Sequence, residues 1–246
     1  MTNSILEVSN LTGGYQANKP VLHNLSLNVR PNEIVGLIGL NGAGKSTSIK
    51  HILGLLDPME GSIRVAGKTF SEDKDGYRKQ LSYIPETPLL YDELTLWEHL
   101  QLTALAYELG NDWQVHAEDL LKEFRMTNMK KWFPGHFSKG MRQKVMIMCA
   151  FLVKPSLYIV DEPFVGLDPI GIQSFLDTML QMKEEGAGVL MSTHILSTAE
   201  RYCDRFVILH DGEIVMSGTL KELQRQIGQP TATLDDIYIK ATRSGK

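Results

Sequence analysis

Lys45 and the glycines before it are the residues of this sequence best suited to chemistry. The run GLNGAGKST, Gly39 to Thr47, fits G-x-x-x-x-G-K-[ST] and lies between an apolar strand-like stretch and a helix-like one. In that setting the pattern holds phosphate. Glycines let the backbone curl until successive N–H groups face phosphate oxygens. The head of the following helix adds partial positive charge. Lys45 is placed to reach the β- and γ-phosphates of a nucleotide, and the Ser46 hydroxyl to hold Mg²⁺. Gly39, Asn41, Gly42, Gly44, Lys45, Ser46 and Thr47 are the candidate phosphate-binding residues. A glycine-rich turn with no ligand is the bland alternative, and the strand–helix setting speaks against it.

Acids and a histidine follow in a fixed order. SLYIVDEP, Ser156 to Pro163, runs through four apolar residues, Leu157–Val160, into Asp161 and Glu162. A buried strand that delivers an acid at its C-terminal edge puts it where α/β sheets bind ligands. Asp161 is expected to bind Mg²⁺ through water. Glu162, one residue further, leaves the strand toward the γ-phosphate, where it can orient and polarise an attacking water. His194 ends the run STH after another apolar strand, Val189–Ser192, and is expected to sense the γ-phosphate and help hold that water. Alone, an acidic turn or a histidine after a strand is ordinary architecture. With the phosphate loop upstream, the set reads as a machine that binds ATP with Mg²⁺ and hydrolyses it.

Such a site needs a sheet whose strand ends converge. Glu33 to Ile38 is a short apolar run into glycine, as a buried strand would be, and Lys45 to Leu55 reads as a helix. Strands are expected at Ile5–Val8, Leu22–Arg30, Ser62–Val65 and Leu81–Ile84. Beyond Ser156 strand and helix alternate: Leu157–Val160, Ile170–Lys183, Val189–Ser192, Leu196–Cys203, Phe206–Leu209. Alternation of this kind implies a parallel sheet with helices on both faces. Leu94 to Phe133 differs in texture and reads as helical throughout, with Leu96, Leu100, Leu105 and Leu109, then Val115, Leu120, Leu121 and Phe124, as its apolar stripe. It is expected to form a helical subdomain of about residues 94–145. The tail, about 219–246, reads as one helix, a break at Pro230 and a short apolar segment, Leu234 to Ile239.

Bulk properties exclude several classes. The 246 residues carry a net charge of −4, so no basic footprint argues for nucleic acid. No run of about 18 apolar residues is present, so no membrane span is expected and any membrane role must come through a partner. MTNSILEVSN lacks a charged start followed by an apolar core and reads as no secretory signal. Cys149 and Cys203 are far apart and form no CxxC, so reduced, buried thiols in a reducing compartment are expected.

Between Phe137 and Gln143 stands FSKGMRQ. With the phosphate loop, SLYIVDEP and STH in this order, the chain resembles the ATP-binding subunits of ABC transporters from about Leu6 to Ile239. LTGGYQANKPVLHNLSL and SYIPETPLLYDELT are similar to the Ecs-type branch of Gram-positive bacteria. The resemblance implies a P-loop NTPase core with a parallel sheet, an antiparallel β subdomain and an inserted α-helical subdomain, all within one ATP-binding domain, 1–246. It implies that Tyr15 stacks on adenine, that Ser138 and Gly140 bind the γ-phosphate of ATP held by another subunit, and that Asp168 belongs to a loop at the interface of a homodimer or pseudo-dimer. Asp168-Pro169 is also a good helix start, and a serine at a helix N-terminus is a good cap. Two departures stand out. Glu86 replaces the family's usual Gln and remains a candidate at Mg²⁺ or its water. Lys139 and Met141 stand where the family has Gly and Gln.

The expected protein is an ATPase subunit at the cytoplasmic face of the cell membrane, attached through a membrane-spanning transporter subunit and engaged in export. Glu86 to Tyr91 and the helix near Trp97 are the expected partner-facing groove, with Leu89, Leu90 and Tyr91 either docking there or packing under the helical subdomain. A soluble relative acting on ribosomes or DNA is the alternative, disfavoured by the single domain and acidic balance. A P-loop metabolic kinase would leave FSKGM and His194 without a role.

Overall fold

The computed structural model of this chain describes residues 4–243. In chain order its elements are β1 (Leu6–Gly13), β2 (Leu22–Val29), β3 (Ile34–Ile38), α1 (Lys45–Ile52), β4 (Glu60–Val65), α2 (Lys74–Lys79), β5 (Leu81–Ile84), α3 (Leu96–Ala106), α4 (Trp113–Glu123), α5 (Lys139–Val153), β6 (Leu157–Asp161), α6 (Pro169–Glu184), β7 (Gly188–Thr193), α7 (Leu196–Tyr202), β8 (Arg205–His210), β9 (Glu213–Gly218), α8 (Leu220–Ile227) and α9 (Leu234–Arg243). The strands form two sheets. Six run in the order β5-β6-β7-β3-β8-β9, parallel except β9, which returns antiparallel beside β8. β3, β6 and β7 are buried at every residue, as strands covered on both faces are. The other three, β2-β1-β4, pair antiparallel. Asn10, at φ +51°, sits where the β1 register shifts on both neighbours.

Register brings the chemistry-bearing residues into line. β7 lies between β3 and β6, pairing Ile38 with Thr193 and Asp161 with Ser192. Gly39, His194 and Glu162 therefore leave three neighbouring strand ends on one edge of the sheet, with strands about 4.8 Å apart.

The helical insert differs from its sequence reading. The stretch from Leu94 to Phe133 is not helical throughout: α3 and α4 are separated by residues 107–112, and two short 3-10 turns, Thr127–Met129 and Pro134–His136, follow. Glu108 takes φ +52°, a conformation through which no α-helix continues. α3 starts where Thr95 and Glu98 form a reciprocal capping box. Of the expected apolar stripe, Leu96, Leu100, Leu121 and Phe124 are buried, together with Ala104 and Ala117, whereas Leu105 and Val115 are exposed. Those residues share one apolar cluster with Ile84, Tyr158, Val160 and Met191 of the sheet. Phe151 of α5 stands at the junction, with ring centroids 6.5 Å from Phe124, 5.5 Å from Tyr158 and 5.7 Å from Phe175.

The tail also differs. Leu234 to Ile239 belongs to a helix, α9, whose Leu234, Ile237 and Tyr238 pack with Ile38, Phe206, Ile208 and Leu223. α2 and β9 were not expected from the sequence. Cys149 and Cys203 are free and partly buried, and burial pushes the Cys149 thiol up to about 11.

Phe175 is wholly buried between Phe151 and Phe164. Phe175→Ala is expected to cost about 3–5 kcal/mol of stability, by lost transfer energy plus a cavity. Urea denaturation checks it. Because the insert and the sheet share this cluster, far-UV circular dichroism and tryptophan fluorescence should report one coincident transition in wild type.

Candidate functional site

The phosphate-binding loop is shaped by close approach. A Cβ on Gly39 would lie 2.7 Å from the Leu209 carbonyl oxygen, so the chain can turn over β8 only without a side chain there. Gly42 and Gly44 take φ +88° and +110°, the left-handed region that glycine enters without strain. α1 starts at Lys45 with no side-chain cap, so the N–H groups at its head remain available to an anion. A cavity of about 340 Å³ opens there and brings Asn41, Gly42, Gly44, Lys45, Ser46 and Thr47 together with Tyr15. Gly39 lies behind the cavity, at the turn. Lys45 is buried; its Nζ donates to the Gly39 carbonyl at 2.7 Å and lies 3.6 Å from Glu162 Oε1.

Glu162 joins this loop to the other strand ends. It is buried and takes φ +46°, a left-handed conformation that costs a non-glycine residue on the order of 1–3 kcal/mol. Its N–H donates to the Ser192 carbonyl at 3.1 Å. Its Oε2 accepts from His194 Nδ1 at 2.8 Å and from the His194 backbone N–H at 3.3 Å. A carboxylate in this contact can only accept, so the His194 proton sits on Nδ1 when the ring is neutral. Glu162 Oε1 has no hydrogen-bond partner beyond its ion pair with Lys45. Next to it, Asp161 is buried and accepts a hydrogen bond from Ser192 Oγ. Burial, with the Asp161 and Glu86 charges behind it, raises the Tyr83 phenol well above its usual range. Glu86 itself is exposed, beside this acidic corner.

Tyr15 is 57% exposed at the mouth of the cavity. Lys50 Nζ lies 4.9 Å from its ring centroid and donates to its hydroxyl at 3.3 Å. A hydrogen bond from Thr47, then Lys50, holds the phenol below its ordinary value.

Ser138, Gly140 and Asp168 form a second group. Ser138 caps α5, its Oγ accepting from the Met141 N–H at 3.2 Å. Behind it Val145, Met148 and Leu152 are buried and Met141 partly so, at the spacing of one helix face that serves the core. A Cβ on Gly140 would lie 2.3 Å from the Gly166 carbonyl oxygen, so the head of α5 rests on the loop that leads to Asp168. Asp168 caps α6 by accepting from the Gly171 N–H at 3.0 Å and pairs with Lys144 Nζ at 3.0 Å. The Lys144 ammonium, first among several causes, holds the Asp168 carboxyl below the usual range.

Some residues that shape the site carry no sequence signal of it. Ser192, Tyr83 and Lys50 act through contacts between distant segments. Gln143, inside FSKGMRQ, is another such residue. It is wholly buried and its Nε2 donates to the Pro85 carbonyl at 2.9 Å, one residue before Glu86.

A phosphate loop at the head of α1, two acids at the end of β6, a histidine at the end of β7 and a serine-capped α5 in a helical insert define an ATP-binding cassette. The chain matches the ABC transporter family over residues 22–165 and belongs to it; it is the ATP-binding subunit of an ABC transporter, and an ATPase. It is 62% identical over 241 residues to the ABC-type transporter ATP-binding protein EcsA of Bacillus subtilis, covering 98% of this chain and 97% of that one. The B. subtilis ABC transporter ATP-binding protein YthP is 45% identical over the whole of both chains. A solved structure of an ATP binding subunit of an ABC transporter superposes with a TM-score of 0.95 at 53% identity, over 97% of this chain and 99% of that one. Among the described residues no helix is long and apolar enough to cross a membrane.

With Lys50 against it, the Tyr15 ring keeps an open part at the cavity mouth, and the adenine stacking that the family resemblance implies can be tested there. Tyr15→Phe should bind ATP nearly as tightly as wild type, whereas Tyr15→Ala should lose about 1–3 kcal/mol of binding. Titration with a fluorescent ATP analogue reads both, and equal affinities would refute the stacking.

Proposed function

We propose that this subunit is half of a closing pair. Two ATP-binding subunits, identical or related, clamp two ATP molecules between them, hydrolyse them and reopen, and the cycle drives a conformational change in a membrane-spanning partner. The observation that carries this reading is the setting of Glu162: buried, oriented by His194 through one oxygen, with its other oxygen facing Lys45 across 3.6 Å. Lys45 binds the β- and γ-phosphates on leaving that contact. Glu162 Oε1 then has no competing hydrogen bond and can accept a proton from the attacking water. His194 fixes the carboxylate and lies at the γ-phosphate end of the site.

Oxygen donors suit Mg²⁺, which uses one or two protein groups and the phosphates of its nucleotide. Ser46 and the Asp161 carboxylate are the donors we assign, with Glu86 as a further candidate. When bound, the ion would offset phosphate charge. Ser192 keeps one Asp161 oxygen in place. Glu86 adds negative charge where the family usually has an amide.

Ser138, Gly140 and the head of α5 are assigned to the γ-phosphate of the opposite subunit's ATP, and Asp168 to the interface between subunits. The partner-facing surface is assigned to 86–91. Leu90 packs against the core, as one sequence reading had it, but Leu89 and Tyr91 are 79% and 62% exposed. The backbone at Tyr91 is held by its N–H, which donates to His99 Nε2 at 3.0 Å, while the buried His99 ring places Nδ1 2.8 Å from the Thr95 carbonyl. The subunit is then held at the cytoplasmic face of the membrane by its partner, and the Ecs-type likeness makes export the direction we assign.

Glu162→Gln should bind ATP within about threefold of wild type and lose at least about 100-fold in kcat, because the amide fills the same space without taking a proton. It should accumulate as an ATP-bound dimer in size-exclusion chromatography. Wild-type turnover would reject Glu162 as the base.

Paired Leu89→Asp and Tyr91→Asp changes should release the chain from membranes in co-sedimentation and keep ATP affinity within about twofold, since isolated charges on exposed positions perturb folding little. Loss of neither property would move the partner contact elsewhere.

A further inference from the structure

We propose that the C-terminal helix is a positioning element for the phosphate-binding loop, acting through the Tyr238 hydroxyl. The inference rests on the reading that residues 39–47 hold the phosphates of ATP.

Leu40 is the second residue of that loop. Its N–H donates to Tyr238 Oη at 3.1 Å, across 198 residues of sequence. Tyr238 is buried, and its helix packs Leu234 and Ile237 against Ile38, the last residue of β3. The residues on either side of Gly39 are thus both held by α9, one by packing and one by a hydrogen bond. Gly39 itself is closed in from the other side by the Leu209 carbonyl. Lys45 Nζ bonds the Gly39 carbonyl, so the residue that reaches for phosphate and the residues that α9 holds are one connected unit.

α9 is also fixed at its head. The Leu234 N–H donates to Glu200 Oε2 of α7 at 2.7 Å. α7 begins two residues after His194. One helix therefore touches both the phosphate loop and the element that follows the histidine of the site. A loop that must present N–H groups in fixed directions gains affinity when its conformation is set before the ligand arrives. Tyr238 sets it from outside the cavity.

The test uses the full chain. Tyr238→Phe removes one oxygen and keeps the ring that packs in the core. We expect the Kd for ATP and the KM to rise about fivefold, the order of effect of one lost hydrogen bond, with kcat within about twofold of wild type. The Leu40 amide should exchange with solvent at least about tenfold faster without nucleotide, while the strand amides of β3 keep their protection. The melting temperature should stay within about 2 °C. Glu200→Ala, which leaves the Leu234 N–H without its acceptor, should reproduce part of the rise in Kd, and Glu200→Gln, which keeps an acceptor oxygen, should restore it. An unchanged Kd in Tyr238→Phe overturns the inference. So does a Kd that rises only together with a fall in melting temperature, which would make the tyrosine merely structural. Lys45→Ala, run in parallel, separates the two levels. If it binds ATP like wild type, the reading of the loop falls and the inference with it; if it does not bind while Tyr238→Phe binds normally, the inference alone falls.

Discussion

A carboxylate buried at the end of a strand must be matched by positive charge or hydrogen bonds, because an isolated buried charge costs several kcal/mol. Glu162 is such a group, and its partners come from two parts of the sequence: Lys45 from the head of α1, and, from β7 and its end, His194 and the Ser192 carbonyl that fixes its backbone. They can meet only because β7 lies between β3 and β6 in the sheet. The strand order, the left-handed turn at Glu162 and the chemistry are thus one constraint. Removing the Lys45 ammonium takes the one charged partner from Oε1, and removing the His194 ring leaves Oε2 with a backbone N–H alone.

The helical insert is bound to the same constraint. Its apolar residues do not form a separate core; they continue the cluster that lies on one face of the large sheet. The aromatic contacts around Phe151 carry load from α4 through α5 to β6 and α6. A shift in the insert therefore reaches the strand that carries Asp161 and Glu162 with few soft steps between. α5 is central to this, since it presents Ser138 at one end and Phe151 near the other.

Much of the candidate site was legible because the residues the structure gathers there stand in short consecutive runs. A phosphate loop needs glycines, a lysine and a hydroxyl in one stretch, and a strand that delivers an acid reads as four apolar residues followed by it. The parallel sheet followed from the same alternation. What was not legible depends on distance in sequence. Ser192 against Asp161, Lys50 against Tyr15 and Tyr238 against Leu40 are each ordinary residues until folding brings them together. The insert was misread for a local reason: Leu105, Leu109 and Val115 keep an apolar look across a break that Glu108 makes by its backbone conformation, which its side chain does not advertise. The tail helix was read as a short segment because its apolar residues serve the core on one face only. β9 is exposed or half-buried along most of its length, so its alternation is weak.

Two neighbouring residues of α5 hold two different loops. Gln143 is bonded to Pro85, and Lys144, its side chain only 12% exposed, to Asp168. Successive side chains on a helix point about 100° apart, so adjacent positions can reach different neighbours. α5 is thus a common anchor: residues 85 and 168 are each tied to the same turn of one helix.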